Sequence, residues 1–223
     1  MTDTLMKIYD LLYERFGPQN WWPAKTRFEV IVGAILTQST SWRNVEKAIS
    51  NLNDAGVLSP DGLLKTDIDK LAELIRPSGY YNTKARKLKA VADFLSENFG
   101  SDLDLLFGRP LDEVRRDLLG VYGIGPETAD SILLYAGGFP SFVVDAYTRR
   151  IFGRLGIMPA DLSYEEARNF FMENLPYSAR LYNEYHALIV RLGKEICISQ
   201  NPKCNLCPVR HLAHGGSFCC NRA

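Results

Sequence analysis

The chain has 223 residues, 46% hydrophobic and 23% charged, which is enough to bury a substantial core in one domain or two small ones. Its 26 basic and 26 acidic residues cancel, so bulk charge announces neither a nucleic-acid nor a membrane partner, and any such surface must be local. No apolar run reaches membrane-spanning length, since Phe28 to Leu36 is short and interrupted by Glu29, and Met1-Thr2-Asp3-Thr4 lacks the regions of a secretion signal; the expected compartment is the cytoplasm.

Residues 4 to 16 carry Leu5, Ile8, Tyr9, Leu12, Tyr13 and Phe16 at helical spacing, and Gly17-Pro18 ends that helix. Trp21 and Trp22 follow, just before Pro23. Adjacent tryptophans cannot share one side of a regular element, so at least one is expected to face something other than the core, either a neighbouring helix or a base stacked against an aromatic wall. Phe28 to Thr37 is apolar all round and reads as the central core helix. The polar loop Gln38-Ser39-Thr40-Ser41 separates it from a second helix, Trp42 to Leu52, with Val45, Ile49 and Leu52 on one face. Short helical patterns at 60–65 and 69–75 lead into the loop Arg76 to Ala85, and 85–99 reads as a long helix with Leu88, Val91, Ala92 and Leu95 inward. Lys84, Arg86, Lys87 and Lys89 crowd its start and form a candidate basic face.

Leu111 to Leu119 reads as a helix, Gly120, Gly123 and Gly125 break it, and Thr128 to Tyr135 reads as another. This is a helix–hairpin–helix. Gly123 and Gly125 lack a Cβ, so the turn can take positive φ and approach a bulky partner, while the first-turn amides of the second helix favour an anion such as a DNA phosphate. Pro140 then forces extended chain, and Val143 and Val144 deliver Asp145 to a helix N-terminus, with Arg149, Arg150 and Arg154 following. Ser163 and Glu166 make a capping-box pattern, and residues 179 to 193 carry a stripe of Leu181, Tyr185, Leu188, Ile189 and Leu192. His186 lies within that last helix and is read as packing or surface. No strand alternation of useful length occurs, so the fold class is all-α.

All five cysteines, Cys197, Cys204, Cys207, Cys219 and Cys220, lie in the final 27 residues. In a cytosolic chain such clustering favours a metal over a disulfide framework. Zinc could use Cys204 and Cys207 with His211 or His214.

The hairpin followed by Val144-Asp145 resembles the helix–hairpin–helix DNA glycosylases of the endonuclease III superfamily. Trp21-Trp22-Pro23, Leu36-Thr37-Gln38-x-Thr40, Arg76 to Asn82, Gly123 to Asp130 and Val143-Val144-Asp145-x-Tyr147 together look most like the 3-methyladenine DNA glycosylase III branch, over residues 20 to about 157. The cysteine tail separately resembles the iron–sulfur members.

The resemblance implies a two-domain fold with a C-terminal metal-cluster loop. One domain would be a six-helix unit over 27–139 that holds the hairpin; the second would join 1–26 to 140–223. It implies a monofunctional glycosylase of base excision repair, a monomer acting on double-stranded DNA with a damaged base and on no membrane. Asp145 takes the catalytic place, and Gln38 the place of the side chain that fills the gap left by the flipped base. Gly123, Gly125, Thr128, Lys84 and Arg149 fall to DNA contact, and Trp21, Trp22, Pro23 and Trp42 to the base pocket. Bifunctional relatives carry an imine-forming lysine just before the hairpin's Thr-Ala; Glu127 stands there, so water is the expected nucleophile and an intact abasic site the product. The expected cofactor is a 4Fe–4S cluster on Cys197, Cys204, Cys207 and either Cys219 or Cys220, zinc being the alternative.

Three departures from the family pattern stand beside this. Ala213 occupies the usual place of the fourth cysteine, the best-known alkylation branch lacks the cluster, and Pro126 stands where that branch has a lysine. Other readings are a uracil or thymine-mismatch glycosylase, an oxidised-pyrimidine glycosylase, and a non-catalytic hairpin protein that only grips DNA.

Overall fold

The computed structural model describes residues 1–159 and 161–213 of the chain. Among them are twelve α-helices and no strand: α1 (Thr2–Phe16), α2 (Arg27–Leu36), α3 (Trp42–Asp54), α4 (Pro60–Lys65), α5 (Ile68–Leu74), α6 (Tyr81–Phe99), α7 (Leu103–Phe107), α8 (Leu111–Gly120), α9 (Pro126–Tyr135), α10 (Ala146–Arg154), α11 (Tyr164–Asn174) and α12 (Ala179–Glu195). They divide into two compact units, Trp22–Phe139 and Met1–Trp21 with Pro140–Ala223.

The Trp22–Phe139 unit is built round α2. Thr26 caps this helix, its hydroxyl accepting from the Glu29 amide at 3.1 Å, and eight of the ten residues that follow are buried. Helices α3, α6 and α9 cover it on different sides, which is why no polar stripe survives along it. Each fully buried Ile31, Ile35 or Leu36 contributes about 1.5–3 kcal/mol of hydrophobic free energy. The unit holds eight α-helices, α2 to α9, of which α4, α5 and α7 are short ones of five to seven residues. The Leu103–Phe107 turn had no periodic pattern to reveal it; Asp102 makes it by accepting from the Asp104 amide at 2.7 Å.

Helix α6 begins four residues before the expected Ala85. Gly79 (φ 69°) and Tyr80 (φ 46°) are both left-handed and turn the chain into the helix at Tyr81. Lys84 therefore joins the buried stripe of Ala85, Leu88, Val91, Ala92 and Leu95. The hairpin between α8 and α9 is fastened by Arg115, whose Nε and Nη2 donate to the two carboxylate oxygens of Asp130 at 2.9 and 3.0 Å; Asp130 is fully buried.

The other unit packs aromatic rings on α12. Phe142, from the extended segment that leads to α10, stacks on Phe171 of α11 at 4.3 Å between centroids and meets Tyr182 and Tyr185 edge-on. The Tyr185 hydroxyl donates to the Leu5 carbonyl at 2.7 Å and ties α1 to the same helix. Ser163 and Glu166 form the expected capping box at α11. Helices α10 and α12 pack closely at Gly193, where a Cβ would come within 2.3 Å of the Tyr147 ring. Arg150 bridges the pair, donating to the Gly193 carbonyl at 3.0 Å and the Cys197 carbonyl at 2.8 Å.

Candidate active site

Asp145 is the N-cap of α10. Its Oδ1 accepts from the Thr148 amide at 2.8 Å and from the Thr148 hydroxyl at 2.9 Å. That single oxygen satisfies the cap. Oδ2 is engaged by neither and faces Nε2 of His186 on α12 at 3.6 Å, within ion-pair range but beyond a formed hydrogen bond. Both side chains are nearly enclosed, 14% and 9% exposed. Burial pushes the Asp145 carboxyl up, but the facing imidazole and the two Thr148 donors outweigh it, so the group lies below the ordinary carboxylate range and is an anion at neutral pH. Nothing in the spacing of residues 145 and 186 could have paired them; only the docking of α10 on α12 does so.

The hairpin carries a second network, in the Trp22–Phe139 unit. Gly123 has φ 85°, and a Cβ there would fall within 2.3 Å of the Lys87 chain, so glycine is required on both counts. Gly125 is different. It is extended (φ −91°), and a Cβ there would meet nothing within 4 Å, so the expectation of positive φ fails and its bareness serves only the outer side. As N-cap of α9 it offers no side chain to the first-turn amides, which leaves the helix dipole open to an anion. Gln38 reaches this turn from the end of α2. Its Nε2 donates to the Gly123 carbonyl at 3.2 Å and to the Thr128 hydroxyl at 2.9 Å, and its Oε1 accepts from Lys87 Nζ at 2.5 Å. The side chain expected to enter a duplex is thus bonded at both ends of its amide to the hairpin and α6.

Lys84, expected on a basic face, is 2% exposed and donates to the Leu36 and Ser78 carbonyls at 2.8 and 2.7 Å. Burial, with the nearby Lys87 charge second, brings its ammonium down to about 8. Arg149 donates to the Leu162 carbonyl at 2.7 Å and remains half-buried. Trp22 and Trp42 do come together, edge-on at 5.2 Å, and Tyr135 joins them at 5.2 Å from Trp22; Gly33 lets the Trp22 ring lie directly on α2. Pro23 is exposed beside them, and Trp21 is half-buried in the other unit. One residue of the Arg76 to Asn82 segment was given no role in the sequence reading. Tyr80 is 74% exposed on a left-handed backbone, a strained position for a large aromatic side chain.

Cys197, Cys204 and Cys207 are thiols lining one cavity between α10, α12 and the tail, together with Arg154, which donates to Cys197 Sγ at 3.4 Å. Soft sulfur donors beside a guanidinium suit a thiolate-held metal, and His211, the zinc alternative, is exposed. Among the described residues no three His, Cys, Asp or Glu side chains are assembled round a metal position. Cys219, Cys220 and His214 lie outside the described residues.

Comparison with known proteins shows the family and the fold. The family described as HhH-GPD superfamily base excision DNA repair protein matches residues 32–177. A candidate DNA repair glycosylase of Methanocaldococcus jannaschii is 49% identical over 215 residues, 93% of this chain and 94% of its own length. Among solved structures, Helicobacter pylori 3-methyladenine DNA glycosylase bound to 1,N6-ethenoadenine superposes with a TM-score of 0.75 at 31% identity, over 87% of this chain and 97% of that one. A trapped endonuclease III–DNA covalent intermediate superposes with a TM-score of 0.82, over 96% of each chain; at 23% identity it speaks for the fold. Among the described residues no helix is long and apolar enough to cross a membrane.

Proposed function

The chain belongs to the HhH-GPD superfamily of base excision DNA repair proteins, and on that footing we propose that this DNA glycosylase is monofunctional, extruding an alkylated base such as 3-methyladenine and hydrolysing its N-glycosidic bond with water. The observation that carries the reading is Asp145, a buried carboxylate held ionised with one oxygen left over by its cap. The scissile C1′–N bond is inaccessible in a stacked duplex, so the nucleotide must leave the helix before reaction. The positive end of α9 anchors the backbone phosphate. Tyr80 is the exposed aromatic available to hold the opened stack, while Gln38 braces the hairpin. The open oxygen of Asp145 stabilises the oxocarbenium charge as the base departs and takes the proton of the attacking water.

Glu127, exposed in the first turn of α9, cannot form an imine, and the lysine that reaches this turn, Lys87, has its ammonium on Gln38. Strand cleavage by the enzyme is therefore outside its repertoire. The electron-rich cluster of Trp22, Trp42 and Tyr135 suits a cationic alkylpurine by stacking and cation–π attraction, and the 31% identical neighbour is by name a 3-methyladenine glycosylase. Cys197, Cys204, Cys207 and a fourth thiolate, Cys219 or Cys220, would hold a 4Fe–4S cluster, which supplies a brace for a tail with little apolar material of its own. The protein acts as a monomer on damaged duplex DNA.

The substrate assignment is tested by incubating the protein with duplexes that carry one 3-methyladenine, 7-methylguanine, uracil or thymine glycol, and separating released bases chromatographically. Release of methylated purines ahead of the pyrimidines is the expected result. Preferential release of uracil or thymine glycol overturns the alkylation reading, and release of nothing overturns the enzyme reading.

A further inference from the structure

We infer that His186 is a positioning residue for Asp145, holding the carboxylate oxygen that the helix cap leaves open. The inference rests on the reading of Asp145 as the catalytic carboxylate. Its physical basis is the asymmetry of the Asp145 contacts: Thr148 takes Oδ1 twice, and the imidazole Nε2 faces Oδ2 at 3.6 Å. A carboxylate pinned through one oxygen still rotates about its Cβ–Cγ bond, and an imidazole facing the other oxygen at ion-pair range limits that freedom. The placement of the imidazole is itself determined. Two turns beyond His186, Gly193 seats the Tyr147 ring and its carbonyl takes Arg150, while one residue before, the Tyr185 hydroxyl is fixed on Leu5. The Gly193 contacts set how α12 lies on α10, and with it the reach from Nε2 to Oδ2, while the Tyr185 bond holds the same helix on α1.

A histidine on an apolar helix face is more often there for packing, which predicts that an isosteric apolar side chain serves equally well. Positioning predicts something different. The groups facing the carboxylate are the Thr148 amide and hydroxyl from α10 and the His186 imidazole from α12. Replacing the imidazole with a hydrocarbon leaves burial opposed by Thr148 alone, so the carboxyl pKa must rise and the fraction ionised must fall sooner on acidification.

The test compares wild type, His186→Leu and His186→Gln in single-turnover base release across pH, alongside affinity for a duplex containing an abasic-site analogue. His186→Leu is expected to lower the release rate by roughly tenfold to a hundredfold. Affinity should stay within about threefold of wild type, and the acid limb of the profile should move to higher pH. His186→Gln, whose amide retains an N–H donor, recovers most of the rate. The carboxyl of Asp145 is also followed by 13C NMR, which needs no substrate. An upward shift of its titration in His186→Leu supports the pairing even if no base is released by wild type, an outcome that would instead overturn the glycosylase reading. Should His186→Leu not fold, His186→Asn, polar but too short to reach, carries the same comparison. A variant that folds with wild-type rate, acid limb and Asp145 titration overturns the inference.

Discussion

Gln38 and Asp145 both sit at a helix end in a polar network, and they differ in what remains unspent. The Gln38 amide has both N–H donors spent on the hairpin, and its oxygen accepts from Lys87. Asp145 uses one oxygen for its helix and keeps the other, as a buried anion, facing an imidazole that stops short of a hydrogen bond. A side chain whose donors are both spent within the protein braces the scaffold; a buried charge with capacity left is available for chemistry. On the mechanism proposed above, this contrast puts Gln38 in the architecture of the hairpin and Asp145 in the reaction.

The contrast is tested hardest at Asp145. Asparagine still accepts from Thr148 and so preserves the cap, but it has no charge for an oxocarbenium ion. Asp145→Asn is expected to slow base release by about a thousandfold or more while changing duplex binding by less than about threefold, measured by single-turnover kinetics and fluorescence anisotropy. The effect at Gln38 has another character. Gln38→Ala strands the Gly123 carbonyl, the Thr128 hydroxyl and the Lys87 ammonium, at a cost of about 2 kcal/mol in urea unfolding. It should weaken binding to damaged and undamaged duplex alike. Unchanged stability with a loss confined to damaged DNA would make Gln38 a gap-filling residue and erase the distinction.

Tyr80 gives a smaller effect with opposite signs in stability and activity. Tyr80→Gly relieves the left-handed backbone and is expected to stabilise the unit by about 1 kcal/mol, while slowing release from fully paired duplex roughly tenfold more than from unpaired substrate. The smallest effect concerns Lys84, which belongs with Gln38 on the scaffold side. Its folded pKa is about 8 against an ordinary 10.5, so between those values the unfolded chain binds more protons and this group makes folding more favourable as pH rises. Below about pH 8 the cost of the buried charge is present in full. The stability difference between wild type and Lys84→Met, followed from about pH 7 to about pH 10, should therefore move in favour of wild type.

Much of the fold was legible because it rests on local patterns. The all-round apolar run at 28–36, the glycine-broken hairpin and the Ser163–Glu166 box each name an element from neighbours in sequence. Lys84 was legible too in retrospect: counted with Leu88, Val91 and Leu95 it lies on the helix stripe, and only the placing of the helix start at Ala85 left it outside. Asp145 was visible as a cap and, through resemblance, as a candidate catalytic residue. Its partnership with His186 was not, because 41 residues separate them (186 − 145) and the pairing depends on the close packing of Tyr147 on Gly193. The Gln38 network was hidden for the same reason, since Lys87 and Thr128 reach it from other helices.

A carboxylate and water, rather than an amine, break the glycosidic bond in the mechanism proposed for this site. Single-turnover incubation with duplex DNA carrying one 3-methyladenine, the strands resolved with and without subsequent alkali, separates the two chemistries. Breaks that appear only after alkali are the expected result, since the product is an intact abasic site. Breaks without alkali would contradict the mechanism, and their loss in Lys87→Met would identify the amine responsible.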